Sequence, residues 1–432
     1  MPTSSVDRTD PLALGDDLRA FLDASPSPSH AVVEMTRRLT AAGFTALAET
    51  DSWALSPGDQ RFVVRRGGSL VAFRVGTAPP AEAGLRLVGA HTDSPTFKVR
   101  PRFDVRQAGY RLVGVEPYGG GLWHTWLDRE LTVAGRVAVR GGPPRLVSLP
   151  GAPLRLPSLA IHLDRGVREG LVLDPQRHLV PVWGGGLDTA PGLLGALADA
   201  VGVAPDDVLG HDLVLADTQP AARAGADDTW VASARLDDLA CCHSGLSALL
   251  AVAPSRRTQV FLANDHEEVG SGSMEGARGS FLDDVVTRLV AATDPGDAQA
   301  VHRAVAHSIL VSADMGHAVH PTRYDQHEPA HAPRLGGGPV LKLNAAQAYA
   351  TDAAGGGWFA ERCAEAEVPL QHFVSRADLP CGSTIGPLSA TRLGVATVDI
   401  GAPMLAMHSC RELASALDVP LMIAALVACL GE

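Results

Sequence analysis

Residues 231–271 read VASARLDDLACCHSGLSALLAVAPSRRTQVFLANDHEEVGS. The first part, VASARLDDLACCHSGLSALLAV, starts extended and runs into a helix; RTQVFLAND is a short apolar strand. HSILVSAD (307–314) and ATVDIGAP (396–403) read as two more strands. Upstream, SLVAFRV (69–75) and LRLVG (85–89) are strands, and residues 14–49 read as a helix, a polar turn (SPSPSH) and a second helix. Strands that alternate with helices in this way predict an α/β core with a mostly parallel sheet.

The pattern changes between about residues 100 and 230. YRLVGVEPYGGGLWHTWLDRELTVAGRVAVR (110–140) and PRLVSLPGAPLRLPSLAIHL (144–163) are alternating segments broken by Gly and Pro. Short strands between such turns predict a β-rich inserted domain. A chain of 432 residues is long for one core, which agrees with an insertion.

Composition narrows the function. The chain is 46% hydrophobic and 19% charged, and its 45 Gly and 31 Pro indicate turns rather than disorder. A net charge of −12 argues against a general nucleic-acid binder, and an acidic substrate must be held by local positive charge. MPTSSVDRTDPLALGDD (1–17) has neither the basic nor the apolar stretch of a secretory signal. The apolar run VPLMIAALVACL (419–430) is about half the length of a membrane span and reads as a buried helix. Six cysteines without a CxxC pair read as reduced, buried thiols in a cytoplasmic protein.

Glu267 and Glu268 are adjacent, directly after an apolar strand. Like charges that close repel, most strongly where water is scarce, so a compensating cation is expected. Other polar clusters fall at similar places: His91-Thr92-Asp93 after LRLVGA, Asp314 after ILVSA, His408 after TVDIGAPMLAM, and Arg235-Leu236-Asp237 before an apolar helix. In an open α/β sheet, ligand sites form outside the carboxyl ends of the strands, where these clusters can converge. Imidazole and carboxylate together suit zinc, and also manganese or cobalt. His91, Asp237, Glu268, Asp314 and His408 would furnish a pair of divalent ions with a bridging carboxylate. Glu267 is then left over as a general base. Singly, each has a plainer reading: Asp237 as a helix N-cap, His91 as a turn residue. HEEVG is not the helical HExxH zinc motif, because Gly270 stands where the second histidine belongs.

GAHTDSPTFKVRP (89–101), GGGLWHTWLDRELTVAGRV (119–137), RLDDLACC (235–242), NDHEEVGSGS (264–273), SADMGHAVHP (312–321), LKLNAAQAYAT (341–351), PCGSTIGP (380–387) and MHSCRE (407–412) resemble, in order, the aspartyl aminopeptidase family of di-zinc exopeptidases. The resemblance runs from about residue 20 to the C-terminus. It implies that His91, Asp237 and Asp314 hold one metal, that Asp237 bridges, and that Glu268 and His408 hold the second. Glu267 would be the general base and Asp93 the partner that orients His91. The inserted domain would cover residues 98–230, within a catalytic domain of residues 1–97 and 231–432, and would make the contacts of a tetrahedral dodecamer. His162 resembles a family histidine that reaches a neighbouring subunit's active site, where it contacts substrate or is counted with the metal. The family prefers an N-terminal Asp or Glu; Lys342 would pair with that side chain and His317 would lie close by.

Two positions depart from the family pattern. Ala348 replaces an arginine, and Asp238 stands where Asn is more common. The loss at 348 leaves a neutral-residue aminopeptidase open as an alternative. A di-metal N-acyl amino acid deacylase is a second alternative, and a non-catalytic scaffold a third.

Overall fold

The computed structural model describes residues 10–151, 153–185 and 191–431. Residues 1–9, which begin MPTSSVDRTDPLALGDD, lie outside the described residues.

A nine-stranded sheet organises the chain. From edge to edge its strands are Thr45–Ala46, Gln60–Arg65, Ser69–Arg74, Thr258–Asn264, Leu85–His91, Ile309–Ala313, Ala396–Gly401, Val340–Leu343 and Gln371–Val374. Five of the eight pairings are parallel, and these include the three at the centre. The expectation of a mostly parallel α/β core is borne out. Leu85–His91 and Thr258–Asn264 are buried at every position, as strands covered on both faces must be.

Alternation along these strands splits the core in two. Val88 and Phe261 face one way, into a cluster with Phe21, Met35, Leu239, Leu246, Phe359 and Met422. Leu87, Val260 and Leu262 face the other way, against Phe281, Val285 and Leu289 of the helix Phe281–Thr293. The helix Leu236–Ala251 lies very close to the sheet. A Cβ at Gly245 would stand 2.7 Å from Phe261 and 3.1 Å from Val88. That closeness fixes where the start of the helix, and Asp237 with it, can sit.

VPLMIAALVACL falls in the largely buried helix Asp418–Gly431. No helix among the described residues is long and apolar enough to cross a membrane. All six cysteines are free, and five are buried.

A second sheet has seven strands, from Thr96–Gln107 to Val208–Asp217 in chain order. Val208–Asp217 pairs with both Thr96–Gln107 and Glu130–Val139, which closes the sheet into a barrel-like unit. Phe97, Trp126, Leu131 and Leu213 fill its own core. A third, small sheet joins Ala222–Ala224 and Trp230–Ser233 to Glu412–Ser415, Pro403–Leu405 and Gly316–His317. Residues 222–230, counted with the insertion on composition, are thus tied to the segment that carries His408. Between Pro157 and Val172 every residue is exposed, including Leu163 at 76% and Val172 at 86%.

Candidate metal centre

The chain ends its central strands in acid and imidazole. His91 is the last residue of Leu85–His91, and Asp314 directly follows Ile309–Ala313. Glu267 and Glu268 open the short turn Glu267–Val269 beyond Thr258–Asn264. Asp237 is the second residue of the helix Leu236–Ala251, in a non-helical conformation, and His408 lies in the turn between Pro403–Leu405 and Glu412–Ser415. All six line one cavity of about 410 Å³. Lys342, His317, Tyr349, Phe373 and Arg278 line it too.

The backbone around these groups is held in unusual conformations. Arg235 (φ 61°), His266 (φ 66°) and His408 (φ 66°) are left-handed without being glycine. Such residues persist only where surrounding contacts over-determine them, and they cluster at functional sites. The Asp237–Asp238 peptide is cis.

Both imidazoles are oriented by backbone carbonyls. His91 Nδ1 lies 3.0 Å from the carbonyl oxygen of Asp93, which leaves Nε2 facing Asp237 Oδ1 at 3.5 Å. His408 Nδ1 lies 2.9 Å from the carbonyl oxygen of Gly120, which leaves Nε2 3.3 Å from both Asp237 Oδ2 and Glu268 Oε1. A carbonyl on one ring nitrogen fixes the proton there and frees the other as a ligand.

Asp93 therefore acts differently from the expectation. Its carbonyl takes the His91 contact, while its carboxylate oxygen Oδ1 lies farther off, at 3.5 Å. The carboxylate instead accepts from the backbone N–H of Glu267 (3.0 Å) and Glu268 (3.1 Å) and from the Tyr118 hydroxyl (2.7 Å). It positions the glutamate turn.

Sequence reasoning misses Tyr118 and Glu412. The buried Glu412 carboxylate accepts from the N–H of Asp237 (3.1 Å) and of His408 (2.6 Å), so it holds two of the cavity's residues in place. Only its place in MHSCRE could have pointed to it.

The electrostatics call for cations. Asp237, Asp238, Glu267, Glu268 and Asp314 crowd around two imidazoles and the Lys342 ammonium. Burial pushes the Glu267 carboxyl up to about 8; Asp314, Glu268 and Asp93 add to this, against His91. Burial likewise raises Glu268 to about 7, against the pull of the neighbouring His408 imidazole. Burial would lower His408, but the Asp237 and Glu268 carboxylates beside it raise it to about 11. Asp237, despite its burial, is held below the usual carboxylate range by His408 and His91.

Asp237 Oδ1 and Glu268 Oε1 are buried without a hydrogen-bond partner, which costs free energy unless something else binds them. The donor atoms of His91, Asp237, Asp238 and Asp314 lie within 4.8 Å of one another, as do those of Asp237, Glu268 and His408. Asp237 belongs to both groups. Imidazole nitrogen with carboxylate oxygen is a donor set for zinc, and it fits.

Lys342 is only 2% exposed and is already paired, with Asp314 Oδ1 at 3.2 Å and the carbonyl of Met315 at 2.8 Å. The expectation from sequence leaves its ammonium waiting for a substrate. His317 opens onto the cavity, with its ring 5.9 Å from that of Phe373. Burial and the nearby Lys342 lower its pKa, so the ring is neutral. His162 is not among these residues; it lies in the exposed stretch between Pro157 and Val172.

Comparison with known proteins gives one consistent result. The family profile described as "Aminopeptidase I zinc metalloprotease (M18)" matches residues 21–429. A relative from Streptomyces coelicolor, "Probable M18 family aminopeptidase 2", is 48% identical over 419 residues, covering 96% of each chain. The structure of the "Ape4 and Nbr1 complex" superimposes with a TM-score of 0.94 at 34% identity, over 99% of this chain and 87% of that one. That of an "mApe1 dodecamer" from S. cerevesiae does so with a TM-score of 0.83 at 28% identity, over 96% and 95%.

Proposed function

The chain belongs to the M18 family of zinc metalloproteases and is a metallo-aminopeptidase, and from that premise we propose a di-metal reaction that prefers peptides with an N-terminal Asp or Glu. The observation that carries the di-metal part is the shared Asp237, common to two donor groups, with an unpartnered buried oxygen. His91, Asp237 and Asp314 would hold one divalent ion and Asp237, Glu268 and His408 the other, with zinc first and manganese or cobalt as substitutes. When bound, such ions would lower the pKa of a water at the site and polarise the scissile carbonyl.

The chain's own groups do the rest. Glu267, whose carboxylate lies within 4.8 Å of donor atoms of His91 and Glu268 but which is outside the proposed ligand set, takes the proton of the attacking water and returns it to the leaving amine. Its burial suits it to holding a proton. Asp93, through its two backbone hydrogen bonds, keeps Glu267 facing the reaction.

For the substrate side chain, the support lies in Lys342. An ammonium has three N–H donors, and two are taken. The third is available to a substrate carboxylate, beside the neutral His317. A neutral-residue preference is the second reading. It is favoured by Ala348, next to Tyr349 in the cavity wall, where the family's arginine is absent.

His162 would complete a neighbouring chain's site from the exposed Pro157–Val172 stretch, within a tetrahedral dodecamer. The barrel-like insertion of residues 98–230 would make the contacts. Its exposed Leu and Val side chains, and the dodecamer of the yeast relative, support this reading. We place the protein in the cytoplasm.

The test is hydrolysis of Asp, Glu, Leu, Ala and Lys amides by the purified protein, with and without chelator. We expect chelator-sensitive cleavage of the Asp and Glu amides above the rest. Cleavage of Leu or Ala amides instead would keep the mechanism and discard the acidic preference.

A further inference from the structure

Among the described residues that line the cavity, Arg278 carries an exposed guanidinium with no hydrogen bond or ion pair of its own. Lys342, by contrast, is buried and engaged with Asp314 and Met315.

The base of Arg278 is fixed. Its N–H donates to the carbonyl of Ser271 (3.3 Å), and Asn264 Nδ2 donates to the carbonyl of Glu275 (3.0 Å). The flanking glycines are obligatory. A Cβ at Gly276 would stand 2.4 Å from the Ser271 carbonyl oxygen, and one at Gly279 would stand 2.6 Å from that of Ser273. The side chain therefore projects from a pinned segment.

Arg278 lies outside the sheet, in a loop tied back to the end of the strand Thr258–Asn264 through Asn264 and Glu275, and this assigns it to one end of the substrate. Arg278 and Glu267 both follow the strand Thr258–Asn264. Lys342 and Phe373 belong to Val340–Leu343 and Gln371–Val374, four and five strands away, which is roughly 19–24 Å at the strand bases. Lys342, Tyr349, Phe373 and His317 form a contiguous group around the proposed side-chain pocket. Glu267 delivers its proton to the leaving amine, so the leaving portion of the peptide lies on the Arg278 side.

Resting on the aminopeptidase reading above, we propose that Arg278 binds a carboxylate on the residue that follows the scissile bond. That carboxylate is the free C-terminus of a dipeptide or an acidic side chain at that position. A guanidinium suits this role, because its fork matches a carboxylate in two-point contact. The chain's net charge of −12 repels acidic peptides, so recognition at this end needs a local cation.

The experiment compares Asp-Ala, Asp-Ala-amide and Asp-Glu-amide as substrates of the wild-type protein and of Arg278→Gln. We expect KM for Asp-Ala to be about tenfold below that for Asp-Ala-amide, the size of one hydrogen-bonded charge pair. Arg278→Gln should abolish that difference. Preference for Asp-Glu-amide over Asp-Ala-amide, lost in the variant, would assign an acidic side chain as a ligand as well. Equal KM values for all three in the wild type, or an equal change for all three in the variant, would overturn the proposal. If the first residue read by the enzyme is neutral, the same pairs built on Leu test Arg278 equally well, so failure of the acidic preference remains distinguishable. Cleavage of neither series would instead overturn the activity itself.

Discussion

Glu412 is outside the proposed ligand set, yet Asp237 and His408 both hang from its carboxylate. Replacing it by Gln keeps the shape but leaves a single acceptor oxygen, so one of the two N–H groups loses its partner. Loss of a group that orients a ligand typically weakens metal binding by about 10–100-fold. Equilibrium dialysis of Glu412→Gln against zinc should give that loss, with activity restored by excess metal. A lowered melting temperature with unchanged zinc affinity would instead make Glu412 merely structural. The residues that converge here are legible in the sequence because strand ends carry imidazole and carboxylate in a pattern that core packing does not need. Their supports are not. Glu412 and Tyr118 act through contacts that exist only after distant segments meet, and Asp93 uses its carbonyl where a carboxylate contact is expected. The apolar neighbours of Lys342 point to partial burial, but its partner Asp314 lies 28 positions away, and no local pattern announces it.

Helix starts bring backbone and titration together. In Pro28–Ala41 the N-cap Ser27 Oγ accepts from His30 N and also lies 2.8 Å from His30 Nδ1. Burial, helped by Arg235, lowers the His30 pKa to about 4. The folded value lies below the unfolded one, so the stability this residue gives is present above about 6.5 and is lost as the pH falls towards 4. At pH 5 the loss is about 2 kcal/mol. Melting temperatures measured at pH 7 and pH 5 should fall less for His30→Asn than for the wild type, and an equal fall would contradict this. Among the elements, the central strands and their helices are legible from apolar runs and 3.6-residue periodicity. The small third sheet is not. Its strands are two to four residues long, too short for a period to appear, and they pair across most of the chain.

At the scale of the whole molecule, composition marks out a β-rich segment, but the closing of its sheet by Val208–Asp217 depends on partners some 70 and more positions away. The proposed role of His162 depends on another copy of the chain. Co-expression of His162→Ala with Glu267→Gln tests it. Each variant alone should be nearly inactive. Mixed particles should regain activity, because sites with an intact Glu267 then receive an intact His162 from a neighbour. Absence of complementation in particles shown to contain both chains would place His162 in its own chain's site or outside any.

The central claim is a pair of ions that share Asp237. Zinc should be added in steps to the chelator-treated protein, with hydrolysis of the preferred aminoacyl amide followed at each step. Activity should be absent without metal, and the rate should level off at two ions per chain. Full activity with one ion per chain, or activity that survives removal of all metal, would contradict the shared centre.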